Sequence, residues 1–133
     1  MNILEEIMRH KRAEVAHKKR DYALKKFEKS PFFSQKCLSL KDFLCDTRYT
    51  GIIAEFKKRS PSRPDINLKA KIADIIPAYC TNGAAAISVL TDEKFFGGTT
   101  EDLNLARYLA NCPILRKDFF CDEWQILEAK AAA

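Results

Sequence analysis

An α/β fold built on a parallel sheet, preceded by helical segments, is the class this sequence predicts. Three observations carry that expectation. From Gly51 onward, short apolar runs rich in β-formers alternate with helical patterns. Those runs are apolar on both faces, as strands covered on both sides are. The stretch before Gly51 shows helix-start signals and helical spacing instead. Strand–helix alternation implies crossover connections, and crossovers make neighbouring strands parallel.

Asn2 and Glu5 have the spacing of a capping box, and Leu4, Ile7, Met8 and Val15 recur at helical intervals, so a helix is expected from Ile3 to the region of Arg20. "KSPFF" interrupts it, because Pro31 restricts the residue before it. Ser39 and Asp42 open a second, short helix through Phe43 and Leu44. The predicted strands are "GIIAEFK" (51–57), "AAAISVL" (84–90) and "CPILRKDF" (112–119). Between the first two, a helix is placed from near Asp74, which leaves Pro77 in the first turn, to Asn82-Gly83. A further helix runs from Thr100 to Ala110 with Leu103, Ala106 and Leu109 on one face, and "TDEKFFGG" before it reads as a long loop. The last helix starts after Asp122, with Gln125 completing a capping box, and continues through "EAKAAA". The organisation is therefore a helical extension, residues 1–48, followed by three βα units, residues 49–133.

Length and composition set outer limits. The chain has 133 residues, 47% hydrophobic and 31% charged, which is one soluble globular domain or part of one. Its apolar runs fall well short of the roughly 18 residues that cross a bilayer, and "MNILEEIMRHKR" has no small-residue cleavage site, so neither a membrane span nor a signal peptide is expected. The five cysteines stand singly, without a C-x-x-C pair, which fits neither a zinc site nor a disulfide scaffold. They read as reduced, mostly buried residues of a cytoplasmic protein. The net charge of +5 concentrates in "HKRAEVAHKKR" (10–20). Such a run serves nucleic-acid or membrane-surface contact, or is a solvated helix face. No aromatic residue interleaves it as a single-strand platform requires, and the solvated face is the expectation, with no nucleic acid and no membrane among the partners.

Side chains alternate along a strand, so Glu55 and Lys57 share a face with Ile53, while Ile52, Ala54 and Phe56 turn the other way to pack under helices. An inner row that becomes ionic at the strand's carboxyl end marks either site residues or a structural ion pair. "ILRKDFF" repeats the arrangement, with Lys117 on the same face as Leu115 and Phe119. Two lysines at the carboxyl ends of two strands point to an anionic ligand, or to a lysine used as acid, base or nucleophile. The middle strand turns Ser88 and Leu90 inward.

Three stretches, "IIAEFKKRSPS", "AAAISVLTDEKFFGG" and "PILRKDFF", closely resemble the first three strand regions of the indole-3-glycerol phosphate synthase family, in the family's order and spacing. The resemblance implies a (β/α)₈ TIM barrel with an N-terminal helical extension, of which this chain carries the extension and β1α1β2α2β3α3. It implies a carbon–carbon lyase of tryptophan biosynthesis that converts 1-(2-carboxyphenylamino)-1-deoxyribulose 5-phosphate to indole-3-glycerol phosphate, carbon dioxide and water. By the same resemblance Lys117 is the general acid, Lys57 contacts the substrate's anionic groups, and Glu55 orients the lysines. Ser60 and Pro61 lie in the loop that touches the anthranilate carboxylate, and Leu90, Phe96 and Phe119 form the apolar wall around the ring. The substrate is a phosphorylated small molecule, and neither a metal nor an organic cofactor is implied.

The sequence departs from the family at Arg63-Pro64, where a basic residue followed by glycine is usual, and a proline cannot supply a glycine-like turn. An unpaired third strand and a chain that stops in mid-helix read as a truncated barrel, inactive alone, that self-associates or needs the missing barrel half. Two other readings stand beside the synthase. One is a different phosphate-binding barrel such as phosphoribosylanthranilate isomerase, and the other is a non-catalytic oligomerising module.

Overall fold

The computed structural model describes residues 1–132. The chain divides into two compact units, one made of residues 1–35 and 118–133 and the other of residues 36–117.

The first unit is helical. Helix α1 (Ile3–Asp21) begins with the expected capping box: the Asn2 side chain accepts from the Glu5 amide and the Glu5 carboxylate accepts from the Asn2 amide. Its buried face is Ile7, Lys11 and Val15, spaced by four residues. Leu4, assigned to the apolar stripe by sequence, is exposed, and Lys11 takes the place between Ile7 and Val15. Its ammonium lies 3.0 Å from both Glu14 Oε2 and Asp118 Oδ1, with only 1% of the side chain exposed. The basic run is therefore not a uniformly solvated face. A 3₁₀ turn (Leu24–Lys29), not foreseen, seats Phe27 in a core with Val15 and Trp124. The Phe27 and Trp124 rings pack at 5.2 Å and 57°, a tilted aromatic contact. Trp124 opens helix α6 (Trp124–Ala132). The Gln125 side chain accepts from the Asp122 amide, which is half of the capping box read from the sequence, but the Asp122 carboxylate accepts from the Trp124 amide and the Gln125 amide bonds the Asp122 carbonyl instead. Its continuation to Ala133 lies outside the described residues.

The second unit holds the sheet. Helix α2 (Leu40–Cys45) is capped by Ser39, whose hydroxyl accepts from the Asp42 amide. Strands β1 (Ile53–Phe56), β2 (Ala86–Leu90) and β3 (Ile114–Lys117) form one parallel sheet in the order β1-β2-β3. Every residue of the central β2 is buried, the result expected for a run apolar on both faces. Helix α3 (Ile72–Thr81) joins β1 to β2, and helix α5 (Thr100–Leu109) joins β2 to β3. α3 buries Ile72 and Ile76, and α5 buries Leu103 and Ala106.

Three expectations need correction here. α3 begins two residues before Asp74, which puts Pro77 in its second turn. There the proline removes the N–H that would bond the Ala73 carbonyl, while the Asp74 and Ile75 amides close the first turn on the Lys71 carbonyl. Ile52, expected under a helix, lies just outside β1 and is exposed. "TDEKFFGG" is not all loop: Asp92 caps a four-residue helix α4 (Glu93–Phe96), its carboxylate accepting from the Phe95 amide at 2.7 Å. The glycine pair that follows has backbone reasons. Gly97 closes α4 at φ +69°, and a Cβ on Gly98 would stand 1.9 Å from the Leu90 carbonyl oxygen.

The cysteines are all free, but only Cys112 is buried, and Cys37 and Cys45 are exposed. Burial, with Cys80 beside it, pushes the Cys112 thiol up to about 11, so it remains protonated and inert near neutral pH. No helix among the described residues is long and apolar enough to cross a membrane.

Candidate active site

The sheet register brings the polar strand-end residues together. Glu55 pairs with Ser88 and Ser88 with Leu115, while Leu90 pairs with Lys117, so these side chains occupy one face of the sheet. Glu55 projects from β1, passes over Ser88 on the central strand and reaches the ammonium of Lys117 on β3. The contacts are 2.7 Å from Lys117 Nζ to Glu55 Oε2 and 3.2 Å from Ser88 Oγ to the same oxygen. The other oxygen, Oε1, lies 3.4 Å from Lys57 Nζ, as alternation along one strand requires. The backbone beneath is pinned as well. Tyr79 of α3 donates its hydroxyl proton to the Glu55 carbonyl at 2.9 Å, and the Thr91 amide donates to the Lys117 carbonyl at 3.1 Å.

Burial alone would raise the Glu55 carboxyl. The Lys117 ammonium, then Lys57 and the Ser88 hydroxyl, more than offset it and hold the group below its ordinary value of 4.5. Glu55 is therefore a carboxylate at neutral pH, with one cation on each oxygen. Exposure separates the partners: the Lys117 side chain is 55% exposed, Lys57 35% and Glu55 26%. Ion pairs this open to solvent contribute roughly 0–1 kcal/mol. An ammonium both oriented and accessible, at the end of β3 and again one residue past β1, is what an anionic ligand requires.

The remaining candidates fall in three places. Leu90 ends the central strand and is buried, and Phe96 ends α4 and is partly buried. Ser60 and Pro61 lie in a closed turn: the Ser60 and Arg63 amides each donate to the other's carbonyl, at 2.9 and 3.1 Å. The Ser60 hydroxyl also accepts from the Arg63 amide. Ile66 and Asn67 then donate to the Lys58 carbonyl, which shuts the loop at its base. Pro64 is accommodated without a glycine-like turn, since no residue other than glycine has positive φ among the described residues. Phe119 lies beyond β3 in the helical unit, where its carbonyl accepts from Gln125 Nε2.

Sequence reasoning missed Tyr79 and Arg59. Tyr79 sits on a crossover helix and acts through a backbone carbonyl, so strand alternation gives no sign of it. Among the described residues no group of three His, Cys, Asp or Glu side chains is placed to hold a metal ion.

Parallel strands joined by helices, with charged side chains gathered at the strands' carboxyl ends, define an α/β protein of the class that builds its polar sites at that edge. Comparison with known proteins narrows the class. The chain belongs to the indole-3-glycerol phosphate synthase family, whose model it matches over residues 4–133. It is 43% identical over 129 residues to the indole-3-glycerol phosphate synthase of Bacteroides thetaiotaomicron, covering 97% of this chain and 49% of that protein. It is 40% identical over 136 residues to the one from Burkholderia vietnamiensis, covering 98% and 51%. The Parafrankia sp. synthase is 38% identical over 133 residues, covering 98% and 48%. The chain thus spans about half the length of the curated relatives it matches.

Proposed function

We propose that this chain supplies residues 1–48 as a helical extension and residues 49–133 as the first three βα units of a (β/α)₈ barrel with indole-3-glycerol phosphate synthase activity in the cytoplasm. The observation that most supports the reading is the Glu55 carboxylate held between Lys57, just past β1, and Lys117 at the end of β3. Lys117 donates a proton to the carbonyl oxygen of the sugar, which makes the carbonyl carbon a better electrophile for the aromatic ring. Ring closure is followed by loss of carbon dioxide and of water, and the reaction so written needs no metal or organic cofactor. Glu55 holds the Lys117 ammonium in place, and Lys57 contacts the substrate's anionic groups. Ser60 and Pro61 flank the anthranilate carboxylate. Leu90 and Phe96 cover the ring, and Phe119 is assigned to the same wall by its place in the matched motif. Ile53 and Leu115, on the face that carries the ionic cluster, are 40% and 43% exposed, and the remaining barrel strands, or a second copy, would cover them.

The test is complementation. The chain is co-expressed with the part of the Bacteroides thetaiotaomicron synthase that follows the matched segment, and the purified complex is given 1-(2-carboxyphenylamino)-1-deoxyribulose 5-phosphate. Indole fluorescence should appear together with carbon dioxide. A complex that co-elutes in size-exclusion chromatography yet yields neither product contradicts the reading.

A further inference from the structure

Arg59 has no part in the chemistry above, yet it ties two segments of the site together. It follows Lys57 and Lys58 in the β1–α3 loop, and its Nη2 donates to the carbonyls of Glu93 at 2.8 Å and Lys94 at 2.9 Å. Both acceptors belong to α4, and the Glu93 carbonyl also accepts from the Gly97 amide. Gly97 makes the approach possible. A Cβ there would come within 3.3 Å of Arg59 Nε and 3.4 Å of its Cγ, so the bare glycine lets the arginine stem lie across the helix end. One guanidinium therefore bonds a loop that carries Lys57, Ser60 and Pro61 to a helix that carries Phe96.

We propose that Arg59 is a positioning residue that makes these two segments order and open as one unit, so that the anion-contacting loop and the ring-covering helix present themselves to substrate together. The proposal deepens the synthase reading and rests on it for its consequence in turnover, but the coupling itself is a property of this chain. A guanidinium shared between two carbonyls is a charge-assisted contact, stronger than an ordinary hydrogen bond. Each segment also has its own amide reporters: Ile66 and Asn67, bonded to the Lys58 carbonyl, in the loop, and Gly97 and Gly98, bonded to the Glu93 and Asp92 carbonyls, at α4.

The experiment is residue-resolved hydrogen exchange on the 133-residue chain, comparing Arg59 with Arg59→Met and Arg59→Lys. In Arg59→Met the four reporter amides should exchange faster by a common factor of about tenfold. The Ile87 and Thr91 amides, bonded to Pro113 and Lys117 in the sheet, should not change. Arg59→Lys, which keeps a donor, should return both segments together toward the original rates. Acceleration confined to one segment, or to neither, overturns the proposal. If Arg59→Met also loosens the sheet amides, Arg59→Lys decides, because slow exchange in one segment with fast exchange in the other leaves no coupling. In the complemented enzyme, Arg59→Met should raise KM about tenfold and leave kcat within about twofold. An unsubstituted complex without turnover would sink the synthase reading and leave the exchange result standing.

Discussion

Lys11 and Lys117 are both held by carboxylates at hydrogen-bond distance, but their surroundings give the contact opposite meanings. Lys11 is 1% exposed and sits between Glu14 and Asp118, the latter itself 2% exposed. Lys117 reaches Glu55 at a shorter distance, 2.7 Å, yet its side chain is more than half exposed. Removing one partner from a buried pair strands a charge away from water and costs about 3–5 kcal/mol. Removing one partner from an exposed pair costs roughly 0–1 kcal/mol, since water takes its place. Distance alone does not separate the two lysines. Desolvation does, and the chain places its buried lysine in the helical unit and its accessible one at the sheet edge.

The largest effect on stability should follow from Lys11→Met, which leaves Asp118 buried beside Glu14 with their shared cation gone. A loss of about 3–5 kcal/mol is expected in urea unfolding. The single Trp124, in the core with Val15 and Phe27, reports it by fluorescence. Replacing Asp118 by Leu in the same chain should recover much of that loss, because an apolar pair carries no desolvation penalty. A cost below about 1 kcal/mol for Lys11→Met would put this lysine in the same class as exposed ones and dissolve the comparison.

A smaller effect sharpens the electrostatic side. Glu14 and Glu55 are both held below the ordinary carboxyl value of 4.5, each against the upward push of burial, Glu14 by Lys18 and Lys11 and Glu55 chiefly by Lys117. Because the folded values are depressed, the stability these groups contribute is fully present above pH 4.5 and is lost as pH falls through the folded values. Carbon-detected NMR of Lys117→Met should show Glu55 titrating at higher pH while Glu14 does not move. A Glu55 titration unchanged by that substitution would mean that Lys57 and Ser88 suffice to hold it down.

The smallest effect should come from Lys19, whose ammonium lies 2.8 Å from Asp122 with both side chains substantially exposed. Lys19→Met should change unfolding stability by less than about 1 kcal/mol. A loss comparable to that of Lys11→Met would show that exposure is the wrong criterion.

Much of this was legible in the sequence. Capping residues announced α1, α2 and α6, because a side-chain oxygen three residues before a glutamate, glutamine or aspartate has few other uses. Alternation along β1 put Glu55 and Lys57 on one face, and the same logic on β3 supplied Lys117. What escaped depends on tertiary placement. Ile7, Lys11 and Val15 share a helical face, and that spacing was the available signal, but a lysine among apolar residues ordinarily turns its head to water. Nothing local says that Asp118, more than a hundred residues away, would be its partner. Helix α4 is too short for any periodicity to show, and Arg59 acts on carbonyls, which carry no sequence signature.

If the exposed lysine at the end of β3 serves chemistry and not the fold, Lys117→Met in the complemented enzyme separates the two. Met keeps most of the stem's volume and removes the proton. Turnover should fall about 10²- to 10⁴-fold, with the urea midpoint almost unchanged. Turnover near that of the unsubstituted complex would contradict that chemical role and leave Lys117 a partner of Glu55 and nothing more.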